Sequence, residues 1–257
     1  MSSAQLPTVV LTPGAFITPK AFEKVVEHLD GIPTHPGGYP SCNAADPSTA
    51  SLMNDIAAYR STILSLLDQG KNVVILAHSY GGAVAGAAVK DLDKVTRRVQ
   101  GHASAVVGLL YVTGNISLEG ETLFEARGDE DGAGLLEWNT PSEGLVTVPA
   151  IMDTLYHDCD PARESELAKY MNPHAMQAFV TKPSTPAWRD EGFENRRVYI
   201  RTLHDKIQSK ALQTKWIEKT GVKWEVLDFE SGHMPFLSRP EALAEMVVKA
   251  VRKFAEP

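Results

Sequence analysis

The sequence predicts an α/β fold, a mostly parallel sheet with helices on both faces and a helical cap inserted late in the chain. Three observations predict it. Short aliphatic runs without polar alternation (Thr8-Val9-Val10-Leu11, Val73-Val74-Ile75-Leu76, and Ala103 to Val112) read as strands buried on both faces. Amphipathic stretches at helical spacing alternate with these runs. The alternation lapses near Ile116 and resumes near Arg196. Residues 116–196 therefore read as an insertion over the sheet, within a single domain spanning 1–257.

Element by element, the first strand ends in Thr12-Pro13-Gly14-Ala15-Phe16. Thr18-Pro19 then offers an N-cap and a first-turn proline to a helix running toward Gly31. Ile32 to Ser51 is rich in Pro, Gly, Ser and Asn and has room for a short strand at best. A second helix covers Ala50 to Asp68, with Leu52, Ile56, Tyr59, Ile63 and Leu66 on one face. Inside the insertion, Pro161 to Tyr170 and Pro173 to Phe179 read as short helical pieces, while GDEDGAG and KPSTP break the pattern. Val198 to Leu203 is then a strand, Ser209 to Lys219 a helix, Val222 to Phe229 a strand and Pro240 to Phe254 a closing helix.

The composition excludes several functions. A formal net charge of −7 with no offsetting basic patch argues against a nucleic-acid partner. No apolar run is long enough to span a bilayer, so no membrane partner is expected. The start of the chain has no cationic segment leading into an apolar core, so the protein is expected in the cytoplasm. Cys42 and Cys159 lie far apart and read as free thiols. No metal-ligand spacing and no dinucleotide glycine pattern appears, so no cofactor and no metal is expected. The expected partner is a small-molecule substrate, with a homodimer left open.

The chemistry concentrates in Val73 to Val84. A buried strand turns into a small-residue helix across His78-Ser79-Tyr80-Gly81-Gly82. Such a turn holds its serine in a strained conformation and lifts the hydroxyl above the sheet. The pattern is a nucleophile elbow, G-x-S-x-G, with Ala77 in the first glycine place. A serine hydroxyl needs a base, and the base needs an orienting acid. In the chain order Ser, acid, His, Asp205 follows the strand from Val198 and His233 follows the strand ending at Phe229. Parallel strands open both loops on the edge that carries Ser79. Glu119 and Glu121 are the rival acids, whereas Asp228 should lie inside its strand. Among the eight histidines, His78 reads as structural, His204 as solvent-facing, and His157 and His174 as able to reach substrate. Backbone N–H groups of Ala15 and Tyr80 are the candidate oxyanion donors. Phe16, Trp138, Leu155, Tyr156, Phe179, Trp188 and Met234 are candidate pocket residues.

LTPGAF, VVILAHSYGGAVAG, YIRTLHDKIQSKALQTKWI and ESGHMPFLSRPEAL, in that order, resemble the α/β-hydrolases of the plant methylesterase and hydroxynitrile lyase group and their microbial esterase relatives. The resemblance implies Ser79, Asp205 and His233 as a triad, with the amides of Ala15 and Tyr80 as the oxyanion hole. Lyases of the group carry a lysine after the catalytic histidine and a threonine near the oxyanion turn. Here Met234 and Gly14-Ala15 occupy those places, which resembles the esterase branch. The expected reaction is hydrolysis of a small or medium, largely apolar carboxylic ester through an acyl-enzyme. Lactone hydrolysis, carbon–carbon cleavage or a cyclisation by the same triad, and a low-turnover small-molecule receptor, are the alternatives.

Overall fold

The computed structural model describes residues 6–128 and 134–256; most of the GDEDGAG stretch lies outside them. Its frame is a six-stranded parallel sheet whose strands run, in spatial order, Thr34–Pro36, Thr8–Thr12, Val73–His78, Val106–Val112, Arg197–Thr202 and Glu225–Phe229. In chain order the elements are β1 (Thr8–Thr12), α1 (Glu23–Glu27), β2 (Thr34–Pro36), α2 (Leu52–Asp68), β3 (Val73–His78), α3 (Gly81–Ala88), α4 (Lys94–Val99) and β4 (Val106–Val112). The inserted segment adds α5 (Leu123–Arg127), β5 (Glu137–Trp138), β6 (Leu145–Thr147), α6 (Glu164–Leu167), β7 (His174–Ala175) and α7 (Gln177–Val180). The chain ends with β8 (Arg197–Thr202), α8 (Lys210–Lys219), β9 (Glu225–Phe229), α9 (Pro235–Ser238) and α10 (Pro240–Ala255).

Every residue of β1, β3 and β4 is buried, as expected of strands covered on both sides. Residue parity in β4 shows how the covering is arranged. Tyr111 donates its hydroxyl hydrogen to the Gly82 carbonyl of α3 at 2.8 Å. Gly108 has the opposite parity and faces α10, where an added Cβ would lie 2.1 Å from the Phe254 ring. Thus α3 and α10 sit on opposite faces. The bare backbone at Gly108 is what lets the Phe254 ring pack directly against the strand.

The expected first helix is shorter than its sequence pattern. A 3-10 turn occupies Pro19–Phe22 and α1 stops at Glu27. Asp30 and Gly31 then take φ of +52° and +74°, which reverses the chain. Besides short helices, the inserted segment carries strands that the helical-cap reading did not include. β5, β6 and β7 form a small antiparallel sheet, with Trp138 opposite Val146 and Val146 opposite His174. Strands this short leave no period for a sequence to display. Among the described residues, no helix is long and apolar enough to cross a membrane.

Candidate active site

The strand-to-helix turn after β3 places Ser79 at φ +48°, a left-handed conformation that costs a non-glycine residue on the order of 1–3 kcal/mol. Surrounding bonds hold it there. The Ser79 amide donates to the Val112 carbonyl at 3.3 Å, and its own carbonyl accepts from the amides of Asn115 (2.8 Å) and Gly82 (2.9 Å). Gly81 permits the close approach of β1, because a Cβ there would lie 2.4 Å from the Thr12 carbonyl oxygen. Ala77, in the first glycine place, is fully buried among apolar neighbours.

The loops after β8 and β9 converge on this hydroxyl. Ser79 Oγ lies 3.2 Å from His233 Nε2, and His233 Nδ1 lies 2.8 Å from Asp205 Oδ2. With the ring proton on Nδ1 donated to Asp205, Nε2 is free to accept the Ser79 proton. Asp205 is held at both oxygens. Oδ1 accepts from the amides of Ile207 and Gln208, each at 2.8 Å, and Oδ2 accepts from the Thr202 hydroxyl at 3.0 Å. Burial alone would raise this carboxyl. The His233 ring and its hydrogen bond, with the Gln208 amide and the Thr113 hydroxyl, outweigh burial and bring it down to about 2. It is therefore ionised across the neutral range. The rival acids lie elsewhere: Glu121 pairs with Lys219 at 2.6 Å, Glu119 is exposed, and Asp228 sits in β9 paired with Arg201.

His78 is buried beside His233, and its Nε2–H donates to the His233 carbonyl at 2.8 Å. Burial, with His233 adjacent, lowers this ring to about 3 and keeps it neutral. It anchors the loop of the neighbouring histidine. His204 is exposed and pairs with Glu230 at 2.5 Å. His157 reaches the His204 carbonyl at 2.8 Å, and His174 is fully buried, so neither lines the cavity over Ser79.

That cavity is small, and its lining is mostly apolar. The Ser79 hydroxyl and the His233 ring form part of its wall. Ala15 and Tyr80 line it, and neither amide N–H is used in a hydrogen bond among the described residues. The inserted segment supplies apolar walls from Leu123, Phe124, Leu135, Leu136, Val148, Leu155 and Phe179. Of the candidate pocket residues, Phe16, Leu155 and Phe179 line the space. The structure places the other four elsewhere. Trp188 packs over Gly86 of α3, and Tyr156 is buried with its hydroxyl toward the Leu167 carbonyl. The Trp138 ring lies against Phe124, 5.8 Å between centroids, and Met234 is buried at the start of α9. Apolar character within the insertion marks Trp138, Tyr156 and Trp188, but in each case a neighbouring helix takes up the side chain.

Two polar residues at the site are not among the candidates read from the sequence. Gln208 Nε2–H donates to Ser79 Oγ at 3.1 Å and to Asn115 Oδ1 at 2.7 Å. Thr113 Oγ1 lies 2.9 Å from Asp205 Oδ2 and 3.0 Å from Gln208 Oε1, so its single proton serves one of them at a time. The one available signal was position, since Gln208 lies in the same loop as Asp205. Among the described residues, no group of His, Cys, Asp or Glu is arranged to hold a metal ion. Cys42 and Cys159 are free, and burial pushes their thiols up to about 11 and about 12.

A family model described as the alpha/beta hydrolase family matches residues 9–246. This chain belongs to that family. Among curated relatives, this α/β-hydrolase is 25% identical to "Alpha/beta hydrolase nvfD" of Aspergillus novofumigatus, over 97% of this chain and 98% of that protein. It is 27% identical to Methylesterase 17 of Arabidopsis thaliana, over 80% of this chain and 76% of that one. A solved structure of a pyrethroid hydrolase from Sphingobium faniae superposes with a TM-score of 0.67, covering 96% of this chain and 97% of that one at 18% identity. This last likeness is one of fold.

Proposed function

We propose that this α/β-hydrolase cleaves carboxylic esters of small to medium, largely apolar substrates through an acyl-enzyme on Ser79. The observation that carries the reading is the continuous path Ser79 Oγ to His233 Nε2 (3.2 Å) and His233 Nδ1 to Asp205 Oδ2 (2.8 Å), beside an apolar cavity. In this reading His233 takes the Ser79 proton as Oγ attacks the ester carbonyl, then delivers it to the departing alcohol. Asp205, ionised and held by two amides, keeps the imidazole in the accepting tautomer and offsets its positive charge. The developing oxyanion falls to the N–H groups of Ala15 and Tyr80, the latter at the N-terminal end of α3. A water then attacks the acyl group with His233 again as base, and the acid leaves. The Gln208 amide, 3.1 Å from Oγ, stabilises negative charge on that oxygen during attack and release.

The relatives support a hydrolase, and a methylesterase among them supports an ester as the bond broken. A panel of methyl, aryl and lactone substrates, run with wild type and Ser79→Ala in pure protein, tests the reading. Turnover of at least one simple ester by wild type, lost in the variant, is expected. Retained ester hydrolysis in Ser79→Ala would remove Ser79 as nucleophile. Activity confined to a carbon–carbon cleavage that survives Ser79→Ala would assign His233 alone as base.

A further inference from the structure

Behind the turn carrying Ala15 and the elbow carrying Tyr80 lies a buried polar chain that the proposed mechanism does not use. It joins Phe16, His174, Ser41, Asp55 and Tyr80, all of them buried, with Ser41, Asp55 and His174 fully so. Its proton directions follow from its donors. The Phe16 amide N–H donates to His174 Nδ1 at 3.3 Å, which puts the ring proton on Nε2. That Nε2–H donates to Ser41 Oγ at 2.8 Å. The Ser41 hydroxyl donates in turn to Asp55 Oδ2, and the Ser41 amide donates to Asp55 Oδ1 at 3.0 Å. From the other side the Tyr80 hydroxyl donates to Asp55 Oδ2 at 2.5 Å. Every donor has an acceptor, and both arms end on one carboxylate.

The two ends are the point. One is Phe16, whose amide belongs to the peptide unit after Ala15. The other is Tyr80, whose own amide is the second candidate oxyanion donor. Phe16 holds φ at +70°, a conformation that an unanchored turn would relax. We propose that the chain Phe16–His174–Ser41–Asp55–Tyr80 is a positioning device that sets both halves of the oxyanion hole together, with the inserted segment supplying one link, His174. The proposal rests on the ester-hydrolase reading above. The segment is tied to the same turn by main chain as well, since the Asn172 amide donates to the Phe16 carbonyl at 2.6 Å. Seating of the inserted segment and alignment of the two amides are thereby one event.

A purely structural role would lower thermal stability and leave transition-state binding alone, so the test must separate the two. His174→Gln keeps one acceptor and one donor at nearly the imidazole spacing, whereas His174→Leu keeps neither. The readouts are kcat and KM on a p-nitrophenyl ester, and the inhibition constant of an alkyl trifluoromethyl ketone, which forms a hemiketal oxyanion on a serine. His174→Leu is expected to lower kcat and weaken the ketone by matching factors of about 10 to 100, part of the loss seen when one oxyanion donor is removed. KM should stay within about threefold, and His174→Gln should recover most of both losses. Tyr80→Phe, which removes only the hydroxyl arm, should shift both quantities in the same direction and serves if His174→Leu does not fold. Variants that bind the ketone as wild type does, whatever their melting temperature, would overturn the proposal. A wild type that the ketone does not inhibit would overturn the serine mechanism and this proposal together.

Discussion

Strands β1, β3 and β4 bury every residue they contain, whereas among the described residues no strand of the inserted segment exceeds the three residues of β6. The two regions meet at the cavity and are held in different ways. The sheet rim is fixed by long ladders beneath it, so the loops after β3, β8 and β9 bring their side chains to one point with little freedom. The inserted segment is fixed by individual bonds, such as the Asn172 amide on the Phe16 carbonyl and the Gly232 amide on Asp158 at 2.7 Å. The lesson is a division of labour. The rim carries groups that must be accurate to a fraction of an ångström, and the segment carries walls that set what fits.

If that division holds, substitutions at the rim and in the segment should fail in different currencies. The largest effect belongs to Ser79→Ala, which should cut kcat on a p-nitrophenyl ester by roughly 10⁴ or more with KM little changed. Asp205→Asn should follow, with a loss on the order of 10³ to 10⁴, because the amide favours the wrong imidazole tautomer. Steady-state assays of both variants check the rim.

Acid should test the two regions side by side. His78 belongs to the rim and His174 to the segment, and burial lowers both rings to about 3, well below an unfolded histidine. The unfolded chain therefore binds more protons than the folded one as pH falls below about 6.5, and stability drops in that direction. Between pH 7 and pH 5 each ring should remove about 2 kcal/mol. Urea unfolding at both pH values should show this, with His174→Gln and His78→Gln each flattening about half of the acid-dependent part. A smaller change is expected at the wall. Phe179→Ala or Leu155→Ala should raise KM for an apolar ester by about tenfold and leave kcat within about threefold. A large kcat loss at either wall residue would break the division.

The rim was legible in the sequence because its constraints leave marks. A strand buried on both faces reads as an unbroken run such as Val73 to Leu76, and a tight strand-to-helix turn restricts the residues around Ser79 to small ones. Position after a strand singled out Asp205 and His233. The segment leaves weaker marks. Trp138 and His174 lie in strands too short to show alternation, and Trp188 looked like a pocket aromatic although α3 takes up its ring. Asp55 was harder still, since on α2 it reads as one more polar residue beside the apolar stripe of Leu52, Ile56 and Tyr59. Only the fold brings Ser41 and Tyr80 to it. Gln208 reached Ser79 the same way, through a contact between residues far apart in sequence.

The central claim is that Ser79 carries the acyl group between two half-reactions. Its most direct test is rapid-quench mass spectrometry of wild type mixed with p-nitrophenyl acetate, read on the peptide that contains Ser79. An acetyl group on Ser79, formed within the first turnover and lost as acetate appears, is the predicted result. Steady ester turnover while Ser79 stays unmodified, in a protein that also ignores a fluorophosphonate at that residue, would contradict it.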